Sequence, residues 1–166
     1  MPRVGIALGS NLGDRLANLQ AARDRLQAIA TPGEPFLQAS TYQTEPLLCP
    51  PGSPDFLNTA VEIDFAGDPF DLLQLTQAIE KQLGRSGSAE RNAPRIIDVD
   101  LLYFGDQIID TEELALPHPR IAERRFVLQP LADIRPDLVL PGQACSIVEL
   151  FETLHSSEPP LILVTG

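Results

Sequence analysis

Leu57-Asn58-Thr59-Ala60-Val61-Glu62-Ile63-Asp64-Phe65 alternates in the way a half-buried strand does. Leu57, Thr59, Val61, Ile63 and Phe65 fall on one side, and Asn58, Ala60, Glu62 and Asp64 on the other. Asp68-Pro69 follows at once. An aspartate cap with proline in the first turn opens a helix, and Leu72, Leu75, Ile79 and Leu83 give it one apolar stripe. Gly84 is placed to stop it.

Working outward, residues 96–104 read as the next strand, and Gly105-Asp106 as a turn whose return runs through Gln107-Ile108-Ile109. Toward the N-terminus, residues 36–43 read as one strand. Before it, Leu16, Leu19, Ala22, Leu26 and Ile29 mark a helix that Pro32-Gly33-Glu34-Pro35 ends. Arg3 to Gly9 reads as a buried strand. Helices are expected at about 120–132 and 146–155, and a short last strand at 161–164. Strand, helix, strand, strand, helix, strand is the order of a ferredoxin-like split βαβ core. The expected class is therefore α+β: a mostly antiparallel sheet with helices packed on its faces.

A length of 166 residues with 43% hydrophobic content favours one domain, 1–166, with an ordinary core. The first residues are too short an apolar run for a signal peptide, and no run is long enough to cross a bilayer. A cytoplasmic protein without membrane contact is expected. Cys49 and Cys145 form no metal or disulfide pattern and read as reduced thiols.

The net charge of −11 argues against nucleic-acid binding. Yet seven of the twelve basic residues lie between 81 and 125: Lys81, Arg85, Arg91, Arg95, Arg120, Arg124 and Arg125. Six are arginines, whose planar fork matches phosphate oxygens, so a small anionic ligand is expected there. Loops at 44–54 and 85–94 are irregular. The first holds four prolines and a glycine in eleven residues.

Asp98 and Asp100 are the sharpest chemical feature. At i and i+2 on a strand they share a face, about 7 Å apart along the backbone. Aspartate is depleted in strands, and two like charges on one face are relieved by a cation between them. Mg²⁺ takes oxygen donors from one or two carboxylates plus substrate phosphates. With arginines on either side in sequence, phosphoryl or pyrophosphoryl transfer is the expected chemistry. No Walker A pattern is present, so any ATP is held without a P-loop. The aspartates alone also fit a nucleotidyltransferase. A non-catalytic ferredoxin-like ligand sensor is the reading from another class.

The chain resembles 6-hydroxymethyl-7,8-dihydropterin pyrophosphokinases. The resemblance rests on Gly9-Ser10-Asn11-Leu12-Gly13-Asp14, Tyr42-Gln43-Thr44-Glu45-Pro46-Leu47 and Phe56-Leu57-Asn58-Thr59-Ala60-Val61. It continues through Glu80 to Arg85, Arg91-Asn92-Ala93-Pro94-Arg95-Ile96-Ile97-Asp98-Val99-Asp100-Leu101, Pro117-His118-Pro119, and Arg124-Arg125-Phe126 to Leu131. It implies that ATP and the pterin alcohol give AMP and the pterin diphosphate, a step of tetrahydrofolate synthesis. A monomer is expected. The resemblance also implies two Mg²⁺ ions on Asp98 and Asp100. Phe56 and Phe126 would sandwich the pterin, and Asn58, Thr44 and the backbone near Leu47 would read its polar edge. Arg85, Arg91, Arg95, His118 and Arg124 would contact the triphosphate, Arg85 and Arg95 as catalytic groups. Gln77, Glu80 and Leu101 would lie near the adenosine. The loops at 10–14, 44–54 and 85–94 would close over the substrates. Gly87, Asn92 and Leu48 stand where many members carry Arg, Trp and Gly.

Overall fold

The computed structural model describes residues 3–11, 13–44, 56–83, 96–154 and 161–165. Strand β1 (Arg3–Ser10) leads to helix α1 (Arg15–Ile29), short strands β2 (Leu37–Gln38) and β3 (Thr41–Thr44), and strand β4 (Phe56–Asp64). Helix α2 (Pro69–Gln82) and strand β5 (Asp98–Phe104) complete the core. The sheet runs β5-β1-β4-β3, every pairing antiparallel, with β2 also on β4. This is the strand order of a ferredoxin-like split βαβ. A last strand, β8 (Ile162–Thr165), extends it beyond β3.

Local chemistry sets the helix starts. Asp14 accepts from the Ala17 amide at 3.1 Å to begin α1, and Asp68 accepts from Asp71 at 2.9 Å to begin α2, with Pro69 in its first turn. Both helices pack on one sheet face. There Leu19, Ala22, Leu26, Leu72 and Ile79 meet Val4, Ile6, Leu8, Leu57, Val61, Ile63, Val99 and Leu101. Two stripe residues fall outside this core: Leu16 and Leu75 are exposed, and Thr76 is buried on α2 instead, its hydroxyl donating to the Leu73 carbonyl at 2.8 Å.

The opposite face is covered by α3 (Arg125–Ile134), which a 3-10 turn at Ile121–Glu123 precedes, and by α4 (Ile147–Thr153). Val127, Leu128, Leu131 and Ile147 pack there on Ala60, Leu102 and Tyr103. β4 is therefore buried on both faces, Glu62 included. Glu62 accepts from Arg3 Nε at 2.7 Å and from Arg135 Nη1 at 2.6 Å, and the Tyr103 hydroxyl donates to it. A buried carboxylate is tolerable when paired and hydrogen-bonded in this way.

Two expectations differ from the fold. The strand at 36–43 is broken in two. The Thr59 hydroxyl lies 3.1 and 3.0 Å from the Ala39 and Ser40 carbonyls, which it engages between β2 and β3. The return after Gly105 does not pair with β5. Instead β6 (Ile109–Asp110) pairs with β7 (Ala115–Leu116), in a hairpin closed by Thr111 against Leu114. At the edge of β5, the Leu102 carbonyl accepts from the His118 amide at 2.7 Å.

Candidate functional site

The sheet face under α3 is built by register. Gly9 on β1 stands opposite Asn58 on β4 and opposite Asp98 on β5. Ala7 stands opposite Ala60 and Asp100, Tyr42 opposite Asn58, and Thr44 opposite Phe56. Opposed residues of antiparallel strands share a face, as do residues two apart on one strand. One surface thus carries Thr44, Phe56, Asn58, Gly9, Asp98 and Asp100. From Asn58 to Asp98 is two strand spacings, about 10 Å.

Asn58 is 6% exposed, and its Nδ2 donates to Thr44 Oγ1 at 2.9 Å. That bond fixes which end of the carboxamide faces the strand neighbour. Phe56 is half-buried beside it. Phe126, in the first turn of α3, packs on the same side, and the Arg124 guanidinium lies 5.5 Å from its ring centroid. Asp98 is half-buried and Asp100 exposed. No group of three or more His, Cys, Asp or Glu able to hold a metal occurs among the described residues. Two hard carboxylates on one face are the donor type that suits a Mg²⁺ taking its other oxygens from phosphate and water.

His118 is half-buried near the edge of β5. Burial, then the charges of Arg124 and Arg120, hold its imidazole below the ordinary histidine value. The Arg120 amide donates to Nδ1 at 3.2 Å. The neutral ring therefore carries its proton on Nε2, a donor suited to a phosphate oxygen.

Helix α2 approaches the same region around the other side of β5. Glu80 is buried, and its Oε2 accepts from the Val99 amide at 2.9 Å, which holds the strand between the two aspartates. Gln77 is exposed one turn earlier. The Leu101 side chain lies in the α1–α2 core, on the opposite face from Asp100. Leu47, Arg85, Arg91 and Arg95 lie outside the described residues, as do Leu48, Gly87 and Asn92. A hollow of about 240 Å³ lined by Gly13, Asp14, Arg15, Leu16, Gln43, Leu57 and Val164 sits on the α1 side of the sheet, away from this chemistry.

The sequence reading missed two parts of this face. Tyr42, 6% exposed, donates to Asp133 of α3 at 2.7 Å and ties the helix beside Asn58. Burial first, and then that carboxylate, push its phenol up to about 12. Gly9 is the other. Glycine inside a strand signals close approach by another group, and here the Asn58 carboxamide oxygen lies 3.0 Å from where a Gly9 Cβ would stand.

Residues 5–136 match the family described as 7,8-dihydro-6-hydroxymethylpterin-pyrophosphokinase (HPPK). The chain is 47% identical over 132 residues to the 2-amino-4-hydroxy-6-hydroxymethyldihydropteridine pyrophosphokinase of Bacillus subtilis, covering 78% of this chain and 75% of that protein. It is 45% identical over 148 residues to the protein of that name from Methylorubrum extorquens, covering 86% and 89%. The folic acid synthesis protein fol1 of Pneumocystis carinii is 38% identical over 161 residues, covering 95% of this chain, which spans only 21% of that protein. In fold, the chain superposes on a crystal structure of HPPK-DHPS in complex with substrates, with a TM-score of 0.71 at 13% identity. That match covers 92% of this chain and 43% of the other, so the chain spans less than half the length of both the HPPK-DHPS protein and fol1.

Proposed function

The chain belongs to the 6-hydroxymethyl-7,8-dihydropterin pyrophosphokinase family, and from that premise we propose that it transfers a pyrophosphoryl group from ATP to the pterin alcohol in folate biosynthesis. The observation that carries the reading is the Asn58–Gly9–Asp98 row across three strands. It puts a carboxamide about 10 Å from a carboxylate on one face, a spacing that supports the reading of one as ring contact and the other as metal ligand. A ring stacked beside Asn58 can then reach the phosphates through a one-carbon arm.

Phe56 and Phe126 hold the ring between them, which suits a flat heterocycle. Asn58 and Thr44, with the backbone near Leu47, read its edge. Asp98 and Asp100 would hold two Mg²⁺ ions, which would supply neutralisation of the phosphate charge. Arg85, Arg91, Arg95, Arg124 and the Nε2–H of His118 hold the triphosphate, while Gln77, Glu80 and the backbone at Leu101 border the adenosine. The hydroxymethyl oxygen forms a bond to the β-phosphorus and its proton leaves to solvent. The bond from the β-phosphorus to the α,β-bridging oxygen breaks, and AMP departs.

A monomer with a single domain over 1–166 is part of the same proposal. No described helix is long and apolar enough to cross a membrane. Transfer of AMP to the alcohol, which the aspartates alone left open, is not favoured in this family. Metal dependence gives the test. Protein stripped of divalent ions should show no turnover of ATP and the pterin alcohol, and Mg²⁺ should restore it to the native chain but not to Asp98→Ala. Full turnover under chelation would overturn the metal assignment.

A further inference from the structure

We propose that Gly9 is a specificity-determining position of the pterin site, because its missing side chain keeps the Asn58 carboxamide oxygen clear for the ring. The inference rests on the reading that Asn58 contacts the pterin. A Cβ built at Gly9 would stand 3.0 Å from Asn58 Oδ1 and 3.7 Å from Phe56 Cδ1. The first contact is shorter than carbon and oxygen normally tolerate. Asn58 has little room to yield, being 6% exposed and held at its other end by the 2.9 Å bond to Thr44. A methyl at residue 9 requires Oδ1 to give by a few tenths of an ångström, against the bond that holds the other end of the carboxamide.

Oδ1 is the acceptor that Asn58 has left once Nδ2 is engaged with Thr44. A flat 2-amino-4-oxo heterocycle presents N–H donors along its edge, and an acceptor facing that edge discriminates it from rings that lack them. Gly9 also sits midway between Asn58 and Asp98, so the arm joining ring and phosphates passes over a floor without a side chain. No positive φ requires glycine here. The missing Cβ therefore serves the space around the Asn58 carboxamide, not the backbone conformation.

Gly9→Ala should therefore fold. Calorimetry should show pterin affinity falling on the order of tenfold or more, as for a blocked buried hydrogen bond. Affinity for a non-hydrolysable ATP analogue with Mg²⁺ should stay within about twofold, and so should the thermal midpoint within a few degrees. In an Asn58→Ala background the same substitution should cost pterin affinity almost nothing, because the oxygen it blocks is gone. If Asn58→Ala alone leaves pterin affinity intact, the reading of Asn58 fails. If Asn58→Ala weakens the pterin but Gly9→Ala does not, the Gly9 inference fails alone. Equal losses in both backgrounds, parallel losses of both ligands, or a Gly9→Ala chain that does not fold would each also overturn it.

Discussion

Strand β1 carries two glycines on one face, four residues apart, and their surroundings are opposite. At Gly5 a Cβ would lie 2.1 Å from the Tyr103 ring, so the protein's own side chain fills the space. Beside it Glu62 is enclosed by Arg3, Arg135 and Tyr103. At Gly9 the nearest atoms to such a Cβ belong to Asn58 and Phe56, and the aspartates stand on the far side. One end of the sheet face is closed by internal partners, while at the other, more open end a Cβ would first meet the Asn58 and Phe56 side chains, the proposed pterin contacts. The contrast separates stability from binding, since substitutions at the closed end should act on folding and those at the open end on ligands and rate.

The largest effect is expected at Asp98 and Asp100. Alanine at either position should lower turnover by several orders of magnitude. The thermal midpoint without Mg²⁺ should hold or rise, because one like charge is removed from the face. Near-native turnover in either variant would erase the open end's chemistry. At the closed end, Glu62→Ala should cost about 3 kcal/mol in denaturant unfolding, the low end for breaking a buried pair because both arginines reach solvent. Both ligand affinities per folded molecule should be unchanged. A stable Glu62→Ala, or one with weakened pterin binding, would break the division.

Asn58→Ala is the intermediate case. Leaving ring donors unpaired should cost pterin binding about 1–3 kcal/mol and leave nucleotide affinity alone. Equal losses for both ligands in calorimetry would remove Asn58 from the pterin edge.

The smallest effect concerns His118. Its folded-state pKa is lowered by burial and by Arg124 and Arg120. The unfolded chain then binds the proton more readily, so the stabilisation is full above the ordinary value of about 6.5 and is lost as pH falls through the lower folded value. A ring titration followed by NMR should have its midpoint below that ordinary value. A midpoint above it would mean a cationic ring and a different phosphate contact.

Much of the closed scaffold was legible because it obeys local rules. The caps at Asp14 and Asp68 and the two helix stripes are written within a few residues of one another. The strand at 98–104 was visible, and so was its chemistry, since two aspartates amid apolar strand residues are costly without a cation. Glu62 was read onto a polar face because alternation says nothing of α3. Its partners lie 59, 73 and 41 residues away. The break between β2 and β3 depends on Thr59, a residue of another strand. Gly9 is the clearest limit. The sequence shows an absent side chain, and only the register shows which neighbours surround the space. The positions predicted at Leu47, Arg85, Arg91 and Arg95 lie outside the described residues, so they stand on the family resemblance.

The identity of the transferred group tests the central claim most directly. ATP labelled at the β-phosphorus, incubated with Mg²⁺, the pterin alcohol and the native chain, should yield labelled pterin diphosphate and unlabelled AMP on chromatography. Label recovered in ADP would mean ordinary γ-phosphoryl transfer, and label in free pyrophosphate with AMP on the pterin would mean nucleotidyl transfer. Either result would contradict the account.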